Sequence, residues 1–180
     1  MELIGPYLIA CTLLIVAGVS KAARPGDTSR ALTGLVPVSQ ARMARVVRVG
    51  AVLEAALGVA ALVAPRPATA LAAALSYGSF AVVVGYLRHR GGALASCGCF
   101  GTPDTPATML HVVINAGLAV AAGAVALSRP SGTIVSVLRG QPLHGLPLVA
   151  ASALGAWLCF LAVTALAELQ GVRRAAEASG

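Results

Sequence analysis

Charge is scarce in this chain. Only 11% of its 180 residues are charged against 58% hydrophobic, and with a mean hydropathy of +0.87 this excludes an ordinary soluble globular domain. Aromatic residues make up 4%, with Trp157 the single tryptophan, so no ring-stacking pocket for a flat cofactor is legible. The apolar runs show no strand-like alternation, and no internal repeat is visible. A basic n-region and a small-residue cleavage pattern are also missing: Met1-Glu2 opens the chain and the apolar run continues to Lys21, so the first helix is expected to be retained. The net charge of +7 does not indicate a nucleic-acid partner, because the basic residues gather at helix ends, where they meet anionic headgroups of a lipid bilayer.

What the chain has is long apolar runs. A membrane span needs about 20 mostly apolar residues to cross roughly 30 Å of hydrocarbon. Leu3 to Ser20, Val46 to Ala64, Ala68 to Leu87, Thr108 to Leu127 and Leu146 to Leu166 meet that need, the second and third joined by the Pro65-Arg66-Pro67 turn. Backbone in lipid must satisfy its own hydrogen bonds, which leaves helices. The expected fold is all-α: a polytopic membrane helical bundle with a four-helix core and a fifth C-terminal transmembrane helix. Small residues such as Ala56 and Ala60, or Gly117 and Ala121, suggest close helix approach.

Loop charge sets an expected orientation in a plasma membrane. Lys21, Arg24, Arg30, Arg42, Arg45 and Arg48, with Arg88, Arg90, Arg173 and Arg174, share one side, against Arg66, Arg129 and Arg139 on the other. That places the first side in the cytoplasm, the N-terminus outside and the C-terminus inside. Arg42, Arg45 and Arg48 recur at helical spacing, a stripe that reads as an interfacial anchor or as a substrate-binding edge.

Candidate chemistry gathers on the same side. Glu54 lies inside the second span, where an ionisable group is expensive and normally faces the bundle interior with a partner; Lys21 or a first-loop arginine is the candidate counter-charge. A protonated Glu54 bonded to a neighbouring helix is the plain structural alternative. His111 and Asn115 are four residues apart, hence on one face of the fourth span, and His111 reads either as a wet or capping side chain or as a proton carrier. Residues 102–106 read as the cap leading into that span.

The most distinctive run is Cys97-Gly98-Cys99-Phe100-Gly101. Two thiols one residue apart share an oxidant, share a soft metal, or idle. A disulfide closed across so short a ring is strained and therefore labile, and a cation such as Lys21, Arg88 or Arg90 beside it would favour the reactive thiolate. Zinc would want about four ligands, with only His89 or His111 at hand to help. Cys11 and Cys159 sit inside spans, as inert apolar residues or as a second thiol pair.

Val19-Ser20-Lys21, Leu53-Glu54-Ala55-Ala56-Leu57-Gly58, the Cys-Gly-Cys-Phe-Gly run and Asn115 together resemble the MauE/DoxX family of redox-associated membrane proteins, from about Leu3 to Leu127. The resemblance implies a four-helix bundle over 1–128, followed over 129–180 by a loop, the fifth span and a charged tail. It also implies a thioredoxin-like or DsbA-like partner, with Cys97 and Cys99 as the redox pair and Glu54, Lys21 and Asn115 as supporting polar residues. His111 completes the candidate catalytic set, and a quinone is a candidate terminal partner. The chain departs from the family pattern in its fifth span and in apolar Ile114, where a basic residue is expected. Three functions follow: a membrane thiol-disulfide oxidoreductase or redox-accessory subunit; a soft-metal (copper or mercury) binder or transporter using Cys97, Cys99 and His111, with Glu54 along its path; and a scaffold whose thiols do no chemistry.

Overall fold

The computed structural model describes residues 3–33, 38–89, 108–128 and 133–178. All regular structure among them is helical: α1 (Ile4–Ala23), α2 (Gly26–Thr33), α3 (Gln40–Val63), α4 (Pro67–His89), α5 (Met109–Leu127), α6 (Ile134–Arg139), a 3-10 turn (Pro142–Gly145) and α7 (Leu146–Ala178). Five stretches, Ile4–Ala23, Gln40–Val63, Pro67–His89, Met109–Leu127 and Pro142–Ala165, are long and apolar enough to cross a bilayer. The chain is an all-α polytopic membrane bundle.

Helix α1 is the centre. Over its span 56% of the residues are buried, against 28% or less in the other four. Its inward stripe, Tyr7, Cys11, Leu14, Gly18 and Lys21, follows the three-to-four residue period of a helix face and carries a lysine at its end. The matching stripe of α3 is Met43, Val47, Ala51, Glu54, Gly58 and Ala61. The two helices run antiparallel and touch backbone to backbone, because a Cβ at Gly18 would stand 2.6 Å from the Ala55 nitrogen and one at Gly58 2.7 Å from Ile15 Cγ1. Ala56 and Ala60 face outward instead, and a Cβ at Gly117 would meet nothing within 4 Å, so Gly18 and Gly58 make the close approach expected of those other small residues.

Helices α4 and α5 form a second close pair, through Ala70, Ala73 and Tyr77 on one side and Leu118, Ala122 and Val125 on the other. Tyr7 donates its hydroxyl to the Ala61 carbonyl at 3.1 Å within the α1–α3 pair, and Tyr77 ties the two pairs together by donating to the Ala10 carbonyl of α1 at 2.6 Å. Helix α7 packs on α1 and, more lightly, on α5. The chain reaches α7 through a left-handed turn at Leu143, His144 and Gly145 (φ 50°, 53° and 78°).

Three boundaries differ from the sequence expectation. Helix α3 begins at Gln40 rather than Val46, since Ser39 takes the extended cap position and arginine is a good helix former, so Arg42 and Arg45 join Arg48 in the helix instead of lying in the loop. The first connection contains the short helix α2. Helix α7 continues past Leu166 to Ala178. Residues 90–107, which hold Cys97, Cys99 and the expected cap at 102–106, lie outside the described residues.

Candidate functional site

Lys21 closes the buried stripe of α1, and Glu54 sits mid-way along the facing stripe of α3. Long helical side chains lean back toward their own N-terminus, which swings the lysine down onto Glu54. Lys21 Nζ lies 2.5 Å from Glu54 Oε2, with side-chain exposures of 9% and 8%. Of the counter-charges the sequence offers, Lys21 is the one that pairs with Glu54, while Arg48 donates instead to the Ala22 carbonyl at 3.3 Å.

A third element holds the pair. The ammonium of Lys21 stands 4.4 Å above the Phe80 ring of α4, and Phe80 meets Tyr77 edge to face at 6.2 Å and 89°. Cation and ring attract more strongly where water is excluded. Burying two charges is repaid only when geometry is good and the remaining lone pairs find donors. Here Oε2 is satisfied, and Glu54 Oε1 is buried with no hydrogen-bond partner among the described residues. The site thus keeps one unused acceptor inside the bundle.

Beside the pair is a chamber of about 40 Å³, lined among others by Lys21, Glu54, Phe80, His111, Asn115 and Cys159. That volume admits about three water molecules at most. It lies far below the roughly 300 Å³ at which small-molecule sites begin, so a quinone ring does not fit in the chamber.

His111 reaches the chamber as part of a helix cap. Thr108 is the N-cap of α5, and the ring Nδ1 of His111 accepts the Thr108 backbone N–H at 3.4 Å and lies 2.9 Å from its hydroxyl. A ring nitrogen that accepts from a backbone N–H carries no proton, which assigns the proton of the neutral ring to Nε2. Asn115 donates its side-chain amide to the His111 carbonyl at 2.7 Å, one turn back on the same helix. His111 is therefore a capping side chain, one of the two readings the sequence offered, and it also forms part of the chamber wall.

Lys21, Glu54, His111 and Asn115 thus come together at one chamber. Cys97 and Cys99 lie outside the described residues; the ends of their segment, His89 and Thr108, are the last residue of α4 and the cap of α5. Among the described residues no three His, Cys, Asp or Glu side chains converge as a metal site. Lys21, offered by the sequence as a cation for the thiols, has its ammonium committed to Glu54 and Phe80, which leaves Arg88, exposed in the last turn of α4, as the described candidate.

Sequence reasoning missed Phe80, Tyr77 and the placement of Cys159. The first two stand three apart on the buried face of α4 among alanines, a signal available in the sequence; Cys159 reaches the chamber only because α7 packs on α1 and α5. Cys11 is fully buried in the core, and both residues are free thiols.

A family model described as methylamine utilisation protein MauE matches residues 2–128. The chain belongs to the MauE family. The matched region contains all six candidate site residues, Lys21, Glu54, Cys97, Cys99, His111 and Asn115, and stops before α6 and α7. In this MauE-family protein the chamber wall supplied by Cys159 and Val163 therefore comes from outside the matched region. No curated protein and no solved structure matches the chain.

Proposed function

We propose that this MauE-family membrane protein is a redox-accessory subunit that exchanges disulfides between Cys97/Cys99 and a thioredoxin-like partner. One cysteine thiolate attacks a sulfur of the partner's disulfide, forming a mixed disulfide and releasing the partner's other sulfur as a thiolate. The second cysteine then attacks the mixed disulfide, which leaves Cys97–Cys99 oxidised and the partner a dithiol. Two electrons pass from the pair to the partner, and the reverse sequence returns them. Arg88 and Arg90 are the cations proposed to favour the thiolate.

The observation that carries the reading is the buried Lys21–Glu54 pair beside a small, mainly apolar chamber whose wall includes His111, a first-turn residue of the helix that follows the cysteine segment. Ionisable groups are expensive inside a membrane bundle, and those kept there mark proton or substrate paths. Glu54 Oε1, the acceptor without a partner among the described residues, is proposed to take up and return the thiol proton through the chamber that His111 helps to wall. Loop charge supports the plasma membrane with the arginine-rich end, and hence the cysteine segment, on the cytoplasmic side.

The test is a trap. Single Cys97→Ser and Cys99→Ser variants, expressed in cells, are expected to accumulate a mixed disulfide with a thioredoxin-fold protein, visible as a reducible band identified by mass spectrometry. Absence of any such adduct in both variants, with wild-type behaviour of the double variant, leaves a scaffold. Stoichiometric Cu(I) or Hg(II) binding lost in the double variant would favour the metal reading.

A further inference from the structure

Helices α1 and α3 pack tightly, as do α4 and α5, whereas α3 and α4 meet only sparsely. An open groove of about 470 Å³ runs between them and against Thr28 and Leu32 of α2, walled by Val46, Gly50, Leu53 and Leu57 of α3 and by Ser79 and Phe80 of α4, with Lys21 and Glu54 at its floor. Its α3 wall runs from Val46 to Leu57, eleven steps along the helix or roughly 16 Å at 1.5 Å per residue. One leaflet of hydrocarbon is about 15 Å thick. The groove therefore has the length of a single acyl chain, and outward-facing Val46 and Leu53 place it on the lipid side of the bundle.

What stands at its upper end is positive. Arg42 is one turn before Val46 on the same stripe of α3, and Arg45 flanks it; both are exposed. No acidic residue occurs between positions 28 and 53. Lys21, by contrast, is neutralised by Glu54, so an anion gains nothing at the floor.

We propose that the groove holds one acyl chain of a tightly bound anionic phospholipid whose phosphate is gripped by Arg42 and Arg45. The chain lies over the Lys21–Glu54 pair and seals it from water on the side away from the chamber. Arg48 takes no part in the grip, since it is tied to the Ala22 carbonyl. Gly50 makes the groove deep: a Cβ built there meets nothing within 4 Å, so a larger side chain enters open space and leaves the helix packing untouched.

The full chain purified in detergent is offered phosphatidylglycerol and phosphatidylcholine at equal concentration, and retained lipid is read by native mass spectrometry. The wild type is expected to keep one phosphatidylglycerol. Arg42→Gln and Arg45→Gln are each expected to weaken its retention roughly fivefold while leaving phosphatidylcholine unchanged. Gly50→Leu is expected to expel the lipid with circular dichroism and melting as in the wild type, and Ser79→Leu, filling from the opposite wall, is the second variant should the first melt early. Equal retention of the two lipids, full retention by a folded groove-filling variant, or recovery of a lipophilic aromatic molecule in place of phospholipid overturns the proposal.

Discussion

Replacing Lys21 with methionine keeps the apolar stem and removes the charge, which leaves Glu54 buried without its partner. The carboxylate side chain is only 8% exposed and one of its oxygens already lacks a hydrogen bond among the described residues, so no second protein donor offsets the loss. Breaking one side of such a pair costs about 3–5 kcal/mol. The Phe80 ring, 4.4 Å from the ammonium, loses its cation as well, a further ~1–2 kcal/mol in a dry setting. Glu54→Leu alone strands the lysine at a similar cost. The double variant removes both charges, and exchange of a buried pair for apolar side chains is near neutral or stabilising. Unfolding in mixed micelles, measured for the wild type, both single variants and the double, closes a cycle whose coupling energy is expected to exceed about 3 kcal/mol. A double variant that loses the sum of the two single losses, to within about 0.5 kcal/mol, would refute the coupling and with it the description of Lys21 and Glu54 as one unit.

Other positions separate packing from site. Gly58→Val drives a side chain into Ile15 and the Cys11 carbonyl and is expected to lower the melting temperature sharply, whereas Gly117→Ala, with open space around it, is expected to melt as the wild type or slightly above. Tyr77→Phe removes the 2.6 Å bond to the Ala10 carbonyl, which keeps its own helical backbone bond, an expected loss of about 0.5–1.5 kcal/mol in the same unfolding assay. Thr108→Ala strips the hydroxyl from the cap of α5 while keeping the backbone N–H bond to His111 Nδ1, and is expected to cost about 1 kcal/mol while raising hydrogen exchange in the first turn of α5, including the amide of His111.

Much of the architecture was legible because lipid leaves few choices. Five apolar runs of span length become five helices, and an isolated Glu54 in one of them had to find a partner. The counter-charge was legible to within a short set of cations, and register selects among them: Lys21 lies on the Tyr7, Cys11, Leu14 stripe of α1, so it turns inward with them. The start of α3 was not legible, since a tract with Arg42, Arg45 and Arg48 looks like a polar loop to a hydropathy window although arginine suits a helix well. Nor was the use of the small residues. Ala, Gly and Ser recur throughout, and only the geometry of the α1–α3 crossing selects Gly18 and Gly58 over Ala56, Ala60 and Gly117. Cys159 stayed hidden for a related reason: its place beside Glu54 depends on the docking of α7, a contact between residues far apart in sequence.

The most direct test of the proposed chemistry is the rate at which Cys97 and Cys99 are alkylated in the reduced, purified protein at neutral pH, with Cys11 and Cys159 replaced by serine and alanine. Reaction of one of the two well above the rate of an unperturbed thiol, slowed when Arg88 is changed to glutamine, is the predicted result. Two thiols that both react no faster than a free cysteine, and that ignore the Arg88 change, would contradict the account.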